Sequence, residues 1–138
     1  MTRRVSLAIA LVLSFAGFAH AAAPKVLSSS PDNGEIDVDP GITQIQVDFD
    51  QPMDPNGRSL IGGGDSFPKL SGQMKWTNPK TLIIPVTLQP DHQYWVSINS
   101  DTFKGFGSRT GQPAEWYPIS FHTRANSRSE ERRVGKEC

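Results

Sequence analysis

One cysteine and three histidines are all that the 138 residues offer for thiol chemistry or soft-metal ligation. The cysteine is the last residue, Cys138, so no disulfide, thiol nucleophile or thiolate ligand is available to the body of the chain. Charge of one sign is missing too, with 14 basic against 14 acidic residues overall. Between residues 22 and 127 there are 8 Lys and Arg against 11 Asp and Glu, a net of −3, and the lysines are dispersed. A nucleic-acid partner needs a clustered basic face, and none is expected here. Also absent are internal repeats, low-complexity linkers and any window with apolar residues at helical spacing. The longest uncharged apolar run covers only Val5–Ala19, 15 residues, against about 20 for a membrane-crossing helix.

That short run has its own meaning. It follows Arg3-Arg4 and ends in Ala19-His20-Ala21, a basic start, an apolar centre and a small-residue exit. The pattern is a secretory signal peptide over 1–21, cleaved after Ala21 and leaving no membrane span. Ser6 interrupts the stretch that follows the paired arginines, which favours the general export route over the twin-arginine route. The exported chain is expected in the periplasm or outside the cell. At the other end, Arg128 to Cys138 is charged and aperiodic, and it reads as the translation of a common DNA-sequencing adapter. Residues 128–138 are therefore taken as an assembly scar and set aside.

What remains, 22–127, is one domain in length. Ile45, Val47 and Phe49 alternate with polar residues, as do Leu82-Ile84-Val86-Leu88, Tyr94-Val96-Ile98 and Ile119-Phe121-Thr123. Weaker strands are expected at Val26-Leu27, Leu70 and Met74-Trp76. The 11 prolines and 12 glycines of the chain, with turn formers at Ser30–Gly34 and Asn78–Lys80, separate short strands of period two. This predicts an all-β fold, an antiparallel Ig-like β-sandwich of about seven strands. Pro85 cannot donate to a ladder, so its strand lies at an edge or bulges there. Tyr94, following the Pro90–Gln93 corner, either returns its hydroxyl to that loop as a tyrosine corner or is a core tyrosine with a wet hydroxyl.

Several segments carry the likeness to a known family. They are Ser30-Pro-Asp-Asn-Gly34 with Val38, Ile45-x-Val47-x-Phe49-Asp-Gln-Pro-Met53 and Trp76 with Lys80-Thr-Leu82. Leu88-x-Pro90 with Tyr94-x-Val96, and Phe121-x-Thr123, complete the set. Together they resemble the SbsA-type bacterial Ig-like domain over roughly residues 24–124. The resemblance implies a non-catalytic module of a surface-layer, adhesive or otherwise secreted bacterial protein. Two segments depart from the pattern: Ile61–Pro68 in the middle loop, and Phe103–Pro118 before the last strand. Those departures resemble a subgroup of secreted proteins, some with a peptidase following.

No catalytic residue, cofactor site or metal site is assigned. Gly62-Gly63-Gly64 lacks the Lys-Ser/Thr and helix start of a phosphate loop. Asp48, Asp50 and Asp54 fail the register of a calcium loop, although Asp48 and Asp50 share a strand face that leaves a looser cation site open. His92 and His122 would need carboxylates to complete a zinc set. Gly105–Gly111 has phenylalanine and threonine where a nucleophile elbow needs glycine. The aromatics Trp95, Phe103, Phe106, Trp116 and Tyr117 form the candidate interaction surface, for a neighbouring domain or envelope protein first and a glycan second. The competing expectation is that the 103–117 segment folds over the sheet edge and buries its own rings. Three roles are carried forward: an interaction or spacer module without activity, the amino-terminal accessory domain of a truncated secreted hydrolase, and a stand-alone carbohydrate-binding module.

Overall fold

The structure is a computed structural model that describes residues 22–126. The expected signal peptide and the adapter-like tail lie outside the described residues.

Nine strands follow one another: β1 (Val26–Ser30), β2 (Glu35–Val38), β3 (Gln44–Phe49), β4 (Leu60–Ile61), β5 (Lys69–Leu70), β6 (Lys75–Asn78), β7 (Thr81–Thr87), β8 (Gln93–Ile98) and β9 (Tyr117–Thr123). A single 3-10 turn, Gly64–Ser66, interrupts them, and no α-helix occurs among the described residues. One sheet runs β1-β3-β7-β5, with β6 also on β7; the other runs β2-β9-β8-β4. All pairings are antiparallel except β2 on β9, which is parallel. The all-β sandwich is thus as expected, with two more strands than anticipated and one parallel pair.

Alternation builds the core. Ile45, Val47 and Phe49 on β3 face Leu82, Ile84 and Val86 on β7 and, across the sandwich, Tyr94, Val96, Ile98, Ile119 and Phe121, all buried. Each such side chain contributes about 1.5–3 kcal/mol by leaving water. Trp76, half-buried at the edge, closes one end of this core against Phe49 and Phe106, at ring-centroid distances of 5.7 and 6.5 Å.

The turn residues act as their chemistry requires. After Pro31 the chain leaves the first sheet, and the Asn33-Gly34 turn ties it to the second. Asn33 Oδ1 accepts from the Ser120 N–H at 2.9 Å, and the Gly34 N–H donates to the Ser120 carbonyl at 2.6 Å. Gly34 has φ 91°, which favours glycine. In the β6–β7 hairpin Asn78 Oδ1 accepts from the Lys80 N–H at 2.9 Å, an Asx turn. Pro85 is neither at an outer edge nor in a bulge: it sits where the partner of β7 changes. Strand β6 pairs β7 up to Ile83 and β5 resumes at Val86, leaving Pro85's missing N–H opposite the connecting loop.

Tyr94 makes the corner. Its hydroxyl accepts the Gln89 N–H at 2.7 Å, while its ring lies 5.4 Å from Phe121 and 4.5 Å from the His92 imidazole.

Candidate interaction surface

The second sheet ends at β4, only two residues long, because Gly62 and Gly63 follow it and the chain then crosses to the first sheet. Phe67 folds back over Gly62 so closely that a Cβ there would enter its ring. The crossing leaves β4 at the edge of one sheet and β5 at the edge of the other. Between them lies an open groove of about 460 Å³. Its walls are Leu60 and Ile61 on one side, Leu70 and Met74 on the other, with Phe67 and Phe103 completing the apolar lining. Arg58 spans it, Nη1 donating to the Met74 carbonyl at 3.0 Å.

The β4 backbone also has a free side. The Asn99 N–H donates to the Ser59 carbonyl at 3.0 Å, and Leu60 pairs with Ile98. Antiparallel alternation therefore turns Leu60's own N–H and C=O away from β8, toward the open side.

Asn99 fixes the segment that supplies Phe103. It is 1% exposed, sits at φ 58°, and its carboxamide works as a piece of strand. Nδ2 donates to the carbonyls of Phe106 at 2.8 Å and Ala114 at 3.0 Å, and Oδ1 accepts from the Phe106 N–H at 2.9 Å. Gly105 then passes so near Arg58 that a Cβ there would strike its carbonyl, which holds the 103–107 segment against the chain before β4.

The five aromatics named from sequence divide. Phe103 and Trp116 are exposed, at 62% and 58%. Trp95 is half-buried on the outer face of β8, beside Ser120 of β9. Tyr117 is half-buried against the core. Phe106 is 1% exposed and belongs to the core, so it cannot serve as an outward contact. The physical reason is Asn99: bonding both the N–H and the C=O of Phe106 draws that residue inward and leaves Phe103 outside. Phe103 is the one member of the set that lines the groove, whereas Trp116 follows Glu115, whose N–H donates to the Pro24 carbonyl at the start of the chain's described part.

Sequence reasoning missed Leu60, Ile61 and Asn99, and it took Leu70 and Met74 only as weak strand residues. A two-residue strand has no period to detect, and a clamp asparagine looks like any turn asparagine.

The polar candidates are engaged locally. Asp48 accepts Thr81 Oγ1 at 2.6 Å, Gln46 Nε2 at 3.0 Å and Ser28 Oγ at 3.3 Å. The Thr81 bond above all, then the Gln46 and Ser28 bonds, holds its carboxyl below the usual range against a smaller opposing effect of burial. Asp50 accepts the Lys25 N–H and Asp54 the Asn56 N–H. His92 Nε2 donates to the Asp65 carbonyl and His122 meets Asp91 at 3.0 Å, so the two imidazoles have separate partners. Ser108 is buried, its hydroxyl shared with Thr110 and the Gln112 N–H. Among the described residues no cluster of three or more His, Cys, Asp or Glu side chains is placed to hold a metal ion. A second hollow of about 380 Å³ lies over Asp65, Lys69, His92 and Tyr94. There His92 Nε2 and the Tyr94 hydroxyl are tied to backbone groups.

The bacterial Ig-like domain family model matches residues 20–123. Among solved structures, the chain is similar to domains 1–6 of the surface layer protein SbsC, with 19% identity and a TM-score of 0.44. It is likewise similar to the S-layer protein rSbsC(31-844), with 18% identity and a TM-score of 0.43. In each case 75% of this chain is covered but only 14% of the other. No curated protein matches the chain.

Proposed function

Because the chain belongs to the bacterial Ig-like domain family, we propose that it is a non-catalytic interaction and spacer module of an exported bacterial protein, held in the cell envelope or outside the cell. The observation that carries this reading is the groove between β4 and β5. It is a site where a cluster of apolar side chains and an unpaired strand edge coincide. Docking at a sheet edge needs main-chain hydrogen bonds and pockets for alternate side chains, and the groove supplies both. The basic start, apolar run and small-residue exit of residues 1–21 support export. His92 bonds Asp65, His122 meets Asp91 and Ser108 bonds Thr110 and Gln112, separate partnerships that support the absence of turnover.

Two assays test this. The purified full chain, offered peptides, esters and glycosides, is expected to turn over none; turnover that survives repurification overturns the reading. Expressed in a bacterial host, the chain is expected to appear outside the cytoplasm with Ala22 as its first residue, and cytoplasmic retention of the intact amino terminus overturns the export half.

The accessory-domain alternative shares the module and differs only in what the gene encodes beyond Arg124. An independent long read of the 3′ end decides it: a further reading frame of a few hundred codons supports a hydrolase front end. The carbohydrate-binding alternative draws on the exposure of Trp116. It requires glycan-array binding that Trp116→Ala removes.

A further inference from the structure

Asparagine is followed by glycine twice among the described residues, at Asn33-Gly34 and Asn56-Gly57, and both asparagines are exposed. In such a pair the glycine main-chain nitrogen can attack the asparagine Cγ, because glycine has no Cβ to obstruct the approach. The fold holds the two pairs differently. At the first, both reacting groups are bound to Ser120 of β9: Asn33 Oδ1 accepts its N–H at 2.9 Å, and the Gly34 N–H donates to its carbonyl at 2.6 Å. At the second, Asp54 organises the turn. Its Oδ1 accepts the Asn56 N–H at 2.9 Å, and its carbonyl accepts the Gly57 N–H at a longer 3.3 Å. Neither bond restrains the Asn56 carboxamide. Elsewhere the reaction is blocked: Asn78 precedes Pro79, whose nitrogen has no hydrogen to lose, and the Asn99 carboxamide is committed to three bonds.

From this we infer that Asn56 is a modification site, converting spontaneously to aspartate and isoaspartate, while the fold protects Asn33. The Gly57 nitrogen gives up its proton and bonds Asn56 Cγ; the Cγ–NH2 bond breaks, and ammonia leaves with that proton. Water then opens the cyclic imide at either carbonyl, so the net change is an amide and a water for a carboxylate and an ammonium ion. Opening at the main-chain carbonyl routes the chain through the former side chain and lengthens the backbone by a carbon; either opening adds a negative charge. The position gives the change a consequence. The turn lies between Met53, bridged to Ser108, and Arg58 in the groove wall. Gly57 packs on Gly105 so closely that a Cβ would strike the Gly105 carbonyl. A lengthened backbone at position 56 therefore disturbs the contact behind the 103–107 segment, which carries the groove's Phe103. The inference goes beyond the docking-module reading and holds whether or not the groove receives a partner.

Peptide mapping by mass spectrometry of the full chain, held folded in mildly alkaline buffer and sampled over time, tests it. The Asn56 peptide should gain the mass difference between amide and acid, with isoaspartate detected by isoaspartyl methyltransferase labelling. Asn33 should convert at least about tenfold more slowly, since two hydrogen bonds must break before its ring can close. In concentrated urea the two rates should converge, because the protection belongs to the fold. Asn56→Ser, an exposed change, should abolish the folded-state signal. An Asn56 that stays intact while the urea-unfolded chain converts overturns the inference. So does an Asn33 that converts as fast in the folded chain, or a difference between the sites that persists in urea. For the consequence, the converted chain is separated by anion exchange on its added charge and compared by hydrogen exchange. Amides of the 103–107 segment should exchange several-fold faster than in the unconverted chain, and equal exchange removes the link to the groove.

Discussion

Replacing Asn99 by alanine tests how the groove-bearing segment is held. The carboxamide makes three bonds to two residues of the segment, and they are not equal in cost. The Phe106 carbonyl keeps a second donor, the Ala114 N–H at 2.9 Å, so losing Nδ2 there is minor. The Phe106 N–H and the Ala114 carbonyl have no other partner. Leaving two buried backbone groups unsatisfied costs about 1–3 kcal/mol each. Alanine at φ 58° adds roughly 1 kcal/mol, which asparagine escapes through its tolerance of the left-handed region. The expected loss in Asn99→Ala is therefore about 3–7 kcal/mol, a large share of the roughly 5–15 kcal/mol available to a domain. Urea unfolding followed by tryptophan fluorescence measures it. Asn99→Gly separates the two contributions, since it removes the same bonds but relieves the backbone, and it should recover roughly 1 kcal/mol over alanine. A loss below about 1 kcal/mol in Asn99→Ala, or no difference between the two variants, refutes the clamp.

Four further outcomes follow from the same geometry. Phe106→Ala should cost about 3–5 kcal/mol as a cavity in the core, whereas Phe103→Ala should stay within about 0.5 kcal/mol; equal effects in chemical denaturation would contradict the division of the aromatics. Gly105→Ala should destabilise by 2 kcal/mol or more, on the order of other overpacked sites, because the Arg58 carbonyl occupies the space, while Gly63→Ala, with nothing within 4 Å of its Cβ, should be neutral. Asp48 has its carboxyl held low in the folded state, so its contribution is present above the unfolded value of about 3.9 and fades as pH falls through the lower folded one. Asp48→Asn should therefore flatten the acid limb of a stability-against-pH curve below about pH 4, and an unchanged limb would remove Asp48 as its source. Tyr94→Phe should cost about 1–2 kcal/mol by orphaning the Gln89 N–H, read as a lowered denaturation midpoint with an unchanged m-value.

Period two made the central strands β3, β7, β8 and β9 legible from sequence, since the apolar residues at every second position of each are buried, although β7 and β8 also bury Ile83 and Ser97 on the alternate face. The edge strands were harder for a physical reason. Strand β2, Glu35-Ile36-Asp37-Val38, buries only Val38, so it presents no alternation. Strand β4 is cut to two residues by the glycines after it. Edges are where sequence loses the inward-facing constraint and where a sheet keeps unpaired backbone groups, so the elements least visible in the pattern are the ones able to meet a partner. Phe103 and Phe106 show the same logic within three residues. Composition treats them alike, yet a buried asparagine at position 99 draws one ring into the core and leaves the other at the groove. The proposed interaction surface is thus shaped by a buried polar residue that lies behind it. Its position could have been sought by asking which side chain satisfies the backbone of a proline- and glycine-rich insertion once both sheets are closed.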